Sequence, residues 1–144
     1  MKIIIVENLG FQRTTDTTAM YNPINRSIHG SVITVGIDTQ GIFEASIMFK
    51  GWEPDEYLPA HEHIKSIAEK LFKFYFPTQG GEFYELVDSM YDGKNLDKLE
   101  KMLYYDNRAV YMSTTVNGYL RLYIGPVGKQ IRLNMEAMRF EIVE

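Results

Sequence analysis

The sequence predicts an α+β domain: an antiparallel sheet packed against two or three helices from the middle of the chain. Three observations carry that prediction. Residues 59–76 and 81–92 space their apolar side chains at helical intervals. Strand-like stretches flank this middle on both sides, the order expected of helices lying on one face of a sheet. Two turn signals, Asn117-Gly118 and Gly125-Pro126-Val127-Gly128, divide the last 37 residues into alternating segments.

In chain order, residues 2–6 form a short continuous apolar run, the pattern of a buried strand. A polar stretch follows from Glu7 to about Ser31, rich in Thr and Asn and broken at Asn22-Pro23. A loop of that length in one domain reads as a lid, a binding loop or a partner arm, unless it hides a short strand around Thr14–Tyr21. It carries Arg13, Arg26 and His29. Residues 31–37 and 42–49 read as a hairpin around Asp38-Thr39-Gln40-Gly41, with β-branched side chains on its first arm. Trp52, beside Pro54, is either an anchor for a partner or a plug for its own loop.

The first helix, 59–76, is bounded by Pro59 and Pro77. Its expected inner stripe is Ile64, Ile67, Ala68, Leu71, Phe74 and Tyr75, which leaves Phe72 on the opposite side as a contact surface. The second, 81–92, turns Phe83, Leu86, Val87 and Met90 inward and stops at Gly93. Asn95 is placed to cap a third, short helix with Leu96, Leu99, Met102 and Leu103 on its apolar side.

The remainder reads as a four-stranded meander. A two-residue turn at Asn117-Gly118 pairs Met112 with Tyr123 and Thr114 with Arg121. The next connection sets Arg121 opposite Arg132 and Tyr119 opposite Asn134. A final turn at Glu136-Ala137 puts Glu141 opposite Arg132. Because strand side chains alternate between faces, Leu120, Leu122, Ile124, Ile131, Leu133, Phe140 and Ile142 share a core face. Tyr119, Arg121, Tyr123, Gln130, Arg132 and Asn134 share the other. Two guanidiniums directly opposite cost roughly 0.2–1 kcal/mol unless an anion sits between them. That cost makes the face a candidate anion site, the alternative being a structural surface neutralised by Glu141.

Composition narrows the functions. At 144 residues the chain fits a single domain, 1–144, able to bury a core without disulfide or metal staples. It has no cysteine, which removes thiol chemistry and suits a reducing compartment. The apolar run at residues 2–6 is too short for a signal peptide or membrane span, so the expectation is a soluble cytoplasmic protein. The net charge of −4 argues against a long nucleic acid as partner. Residues 1–106 hold ten Lys/Arg against sixteen Asp/Glu, whereas residues 107–144 hold five against three. The local basic character is mostly guanidinium, which suits a small anion or a discrete acidic partner.

No Gly-x-Ser-x-Gly elbow, Walker loop or Gly-x-Gly-x-x-Gly is present. His61-Glu62-His63 is the best metal candidate: in a helix residues two apart point about 200° from each other and cannot share an ion, whereas in an extended segment both could reach one, with His29 as the remaining imidazole. Glu53, Asp55 and Glu56, and Glu82, Glu85, Asp88 and Asp92, fit solvated faces better than paired catalytic carboxylates.

The leading expectation is therefore a non-enzymatic protein that sequesters or senses a small anionic, nucleotide-like ligand. Tyr119, Arg121, Tyr123, Arg132 and Asn134 would hold it, with Arg108, Arg139 and Arg26 at the edge. No catalytic residue, metal or cofactor is assigned. One alternative is a small acidic inhibitor or immunity-type protein that blocks a partner protein. Another is a metal-dependent hydrolase using His61 and His63. Either binding mode allows a homodimer or higher homo-oligomer through a sheet edge or the exposed aromatics.

Overall fold

The computed structural model describes residues 9–21, 33–48, 58–115 and 119–143, with the backbone alone described at 48 and 58–64. Among these residues, nine strands and two α-helices follow in the order β1 (Gln12–Arg13), β2 (Thr18–Tyr21), β3 (Ile33–Ile37), β4 (Phe43–Met48), α1 (Leu58–Tyr75), α2 (Gly80–Tyr91), β5 (Leu103–Tyr105), β6 (Arg108–Thr114), β7 (Tyr119–Ile124), β8 (Gln130–Asn134) and β9 (Arg139–Val143). Seven strands form one antiparallel sheet in the order β1-β2-β3-β4-β7-β6-β5, and β8 and β9 form a separate pair. The α+β class thus stands, built on a wider sheet than a C-terminal meander. No helix among the described residues is long and apolar enough to cross a membrane.

Burial alternates along the central strands and decides which face meets the helices. Ile33 and Val35, Phe43, Ala45 and Ile47, Val110 and Met112, and Leu120, Leu122 and Ile124 are buried in one cluster. Ile67, Ala68, Leu71, Phe72 and Tyr75 of α1 and Phe83, Val87 and Met90 of α2 pack onto it. The Phe43 and Tyr75 rings lie 4.3 Å apart across that layer. The expected inner stripe of α1 is rotated: Phe72 is fully buried and Phe74 is 38% exposed. The cause is the second helix. The Phe72 ring meets the Phe83 edge at 4.8 Å, a neighbour that single-helix periodicity does not contain.

The two helices join tightly because residue 80 is glycine. A Cβ there would sit 2.5 Å from the Lys73 Cα. Asp106 secures the same corner, since its Oδ2 accepts the N–H groups of Thr78 and Gln79, each at 2.9 Å. Gln79 Oε1 in turn accepts the Asp106 N–H at 2.6 Å. These bonds, the Gln79 amide's above all, hold the Asp106 carboxyl below its usual range.

Several expectations are corrected. The third helix is only a 3₁₀ turn, Leu96–Lys98, with no buried residue. Leu103 begins β5 instead, pairing with Val110 across a two-residue turn at Asp106-Asn107, whose φ angles are 48° and 62°. The four-stranded meander does not form. β6 and β7 pair, but β7's second neighbour is β4, with Phe43 opposite Ile124 and Ala45 opposite Leu122. β4 offers β7 an apolar surface buried beneath the helices, whereas β8 offers Ile131 alone, Leu133 being 39% exposed.

The register at the β6–β7 turn is also displaced by one residue: Ser113, not Thr114, faces Arg121. The Thr115 N–H donates to the Tyr119 carbonyl at 2.9 Å and the Tyr119 N–H to the Thr115 Oγ1 at 3.1 Å, which closes the connection one residue earlier. A one-residue displacement exchanges faces. Val110 and Met112 therefore enter the core, and Tyr111 and Ser113 take their places beside Tyr123 and Arg121.

The early hairpin forms as expected, and Ile37 pairs with Phe43. The polar stretch contains β2 at Thr18–Tyr21, the hidden strand anticipated there. The apolar run at residues 2–6, Arg26, His29 and Trp52 lie outside the described residues.

Candidate functional site

Opposite the helices, the sheet presents Glu44 and Ser46 of β4, Arg121 and Tyr123 of β7, and Tyr111 and Ser113 of β6. The β8–β9 hairpin covers part of this face. Phe140 sits between Tyr111 and Tyr123, with ring centroids 5.0 Å and 4.5 Å away, and it forms a small second core with Ile42, Ala109 and Ile131.

Beside that contact is a cleft of about 490 Å³ whose lining includes Asp38, Glu44, Arg121, Tyr123, Met138 and Arg139. A smaller hollow of about 220 Å³ shares Glu44 and Arg121 and extends toward Thr34 and Ser46. On the floor, the Arg121 guanidinium is paired with the Glu44 carboxylate and lies 5.8 Å from the centre of the Tyr123 ring. Burial disfavours the Arg121 charge, but the bond to Glu44, the Glu44 charge and the Tyr123 phenol together outweigh it and raise the pKa above the ordinary guanidinium value. Burial raises the Tyr123 phenol, and the negative charge of Glu44 adds to it.

The wall of the cleft is set by two residues of the β3–β4 turn. Asp38 Oδ1 accepts the N–H groups of Gln40 and Ile42, each at 2.9 Å, a side-chain-closed turn. The Gln40 carboxamide then reaches across to β9. Its Nε2 donates to the Phe140 carbonyl at 3.2 Å, and its Oε1 accepts the Ile142 N–H at 3.0 Å.

Of the described residues expected to bind, the structure brings Arg121, Tyr123 and Arg139 to one cleft and disperses Tyr119, Arg132, Asn134 and Arg108; Arg26 lies outside the described residues. Tyr119 shares the face of Arg121 but lies beyond the cleft, opposite position 48. Arg132 and Asn134 are on the outer side of the hairpin, where both bond Glu141, each at 3.1 Å. The expected pairing of Arg132 with Glu141 is present, and that of Arg121 with Arg132 is not. Each guanidinium has its own carboxylate, and the unfavourable opposition of like charges never arises. Arg108 belongs to the helix-backed layer: its guanidinium is 5.5 Å from the Tyr75 ring centre and donates to the Gly125 carbonyl at 3.0 Å. Burial lowers its pKa.

Among the described residues, no group of three His, Cys, Asp or Glu could hold a metal. Positions 61 and 63 fall inside α1. Their side chains lie outside the description. Sequence reasoning missed Glu44 and Gln40. Glu44 has a local signal, an acidic residue alternating with Phe43, Ala45 and Ile47, but its partner is 77 residues away. Gln40 has no signal beyond its turn.

The cleft offers two positive groups, Arg121 and Arg139, two negative groups, Asp38 and Glu44, and the Tyr123 phenol. Groups of these kinds can form hydrogen bonds and ion pairs. Compared with known proteins, the chain matches no family model, no curated sequence and no solved structure.

Proposed function

We propose that the protein is a non-enzymatic binder that sequesters or senses a small anionic ligand of about nucleotide size in the cleft between the sheet and the β8–β9 hairpin. One observation carries this reading: Arg121, Tyr123 and Arg139 converge on a hollow whose volume lies within the roughly 300–1,000 Å³ usual for small-molecule sites. Arg139 is exposed and forms no ion pair among the described residues, its charge acting on Glu141 only at longer range, and a guanidinium so placed suits a phosphate or carboxylate. Arg121 shares its charge with Glu44 and is the weaker anchor. Phe140 already packs against the Tyr123 ring, so recognition rests on the anionic group and the phenol rather than on base stacking.

A thermal-shift panel of mono-, di- and cyclic nucleotides, inorganic phosphate and small dicarboxylates tests this. A ligand at a hundred times its Kd stabilises by about 2.7 kcal/mol. The expected result is a shift for at least one phosphate-bearing compound, abolished in Arg139→Gln with the ligand-free melting temperature unchanged. A flat response across the panel overturns the proposal.

A second reading, a small inhibitor or immunity-type protein directed at a partner protein, is favoured by the hairpin tip. Met135 and Met138 are 67% and 74% exposed there, next to the exposed Leu133. Capture of one stoichiometric protein from the native host, lost on Met135→Lys, would favour this reading over the first.

A further inference from the structure

We propose that the β8–β9 hairpin is a flap that opens independently of the large sheet, and that Gln40 is the latch that holds it shut over the Arg121–Glu44 pair. Among the described residues the hairpin does not continue the sheet: β8 and β9 pair only with each other. Among the described residues, what fastens it is a small cluster and a few polar bonds. Ile131 and Phe140 bury against Ile42 and Ala109, the Phe140 ring lies between Tyr111 and Tyr123, and the Tyr104 hydroxyl and the Gln130 carboxamide oxygen are 2.6 Å apart at the β8 edge. The two Gln40 bonds close the β9 edge.

Those bonds are special in kind. Phe140 O and Ile142 N–H are the groups that β9 turns away from β8, where another strand would pair in a wider sheet. The carboxamide supplies one acceptor and one donor in the place of that strand. Gln40 is in turn braced by Asp38, which accepts its backbone N–H. At the other end, the connection to β7 is tied down at Gly125, which donates to Ala109, and at Gly128, which donates to Asn107. The pivot therefore falls between Gly128 and the start of β8. Met138 and Arg139 line the cleft, so an open flap removes one wall of it. That consequence rests on the binding reading; the opening itself does not.

Native-state hydrogen exchange on the full chain tests the flap without any ligand. A two-stranded hairpin is marginal by itself in water, so an undocked flap loses its ladder bonds. The inward-facing amides of Arg132 and Glu141 report this, and those of Ala45 and Leu122 report the sheet. Exchange at Arg132 and Glu141 is expected through an opening that leaves Ala45 and Leu122 protected. Gln40→Leu, which keeps the bulk and removes both bonds, should speed it by about tenfold. Gln40→Glu retains the acceptor and loses the donor, and should fall between. Equal rates in the two sets of amides, or ladder exchange unmoved in both variants, overturns the proposal. In neither case is the ligand panel affected, so the two proposals fail separately.

Discussion

Strands β6–β7 and β8–β9 are consecutive, of similar length and similarly patterned, yet they belong to different kinds of core. β6 and β7 contribute Val110, Met112, Leu120, Leu122 and Ile124 to a layer closed by two helices. β8 and β9 contribute Ile131 and Phe140 to a four-residue cluster and leave Leu133, Met135 and Met138 exposed. An alternating pattern thus specifies which side chains share a face, not how much apolar surface that face will find. The central strands acquire global stability from their position. The hairpin acquires a dock held by a few side chains, and the cleft lies where the two meet.

The comparison breaks if equivalent truncations cost the same in both regions. Phe83, fully buried against Phe72, Phe76 and Tyr105, sits in the thick core. Phe83→Ala should lower global stability by about 3–5 kcal/mol in denaturant unfolding. Phe140→Ala should instead free the hairpin: its ladder amides exchange near unprotected rates, and the unfolding midpoint of the whole chain moves less than in Phe83→Ala. Next in size is Gly80→Ala, which forces a methyl into the Lys73 backbone and should cost about 1–3 kcal/mol without affecting the hairpin amides.

Acidification should separate the regions further. Asp106 and Glu141 both have depressed pKa values, the first from the Gln79 and Thr78 amides and the second from Asn134 and then Arg132. A depressed carboxylate stabilises the fold above its unfolded pKa of about 4 and loses that contribution as pH falls through the folded value. Stability should therefore fall below about pH 4. Asp106→Asn should flatten the dependence read by global unfolding, and Glu141→Gln that read by the hairpin amides. The smallest effect is expected for Glu44→Gln. Its pair with Arg121 is about two-fifths exposed on each side, so stability should change by about 1 kcal/mol or less. The freed Arg121 should then bind anions more tightly in the thermal-shift panel.

Much of this architecture was legible in the chain. The bounds of both helices, the β3–β4 hairpin, the final hairpin with Arg132 opposite Glu141, and the alternation of Leu120, Leu122 and Ile124 all follow from local periodicity and turn chemistry. One legible signal was overlooked: Asp106-Asn107, between Leu103-Tyr104-Tyr105 and Arg108-Ala109-Val110, is a hairpin turn in residues that tolerate positive φ. The candidate site was far less legible. Arg121, Tyr123 and Arg139 could be named from their residue types, but Arg132 and Asn134 could not be told apart from them without knowing which strand lies beside β7.

The sequence by itself determined the two long helices, the β3–β4 and β8–β9 hairpins and the alternation of side chains along them and along β7, because these depend on contacts a few residues apart. Only the tertiary structure decided that β7 pairs with β4, that Arg121 meets Glu44 instead of facing Arg132, and that Gln40 holds a strand 100 residues away. Strand partners compete for the same backbone bonds, and the choice goes to whichever pairing buries the most apolar surface. That quantity belongs to the folded chain and to no segment of it.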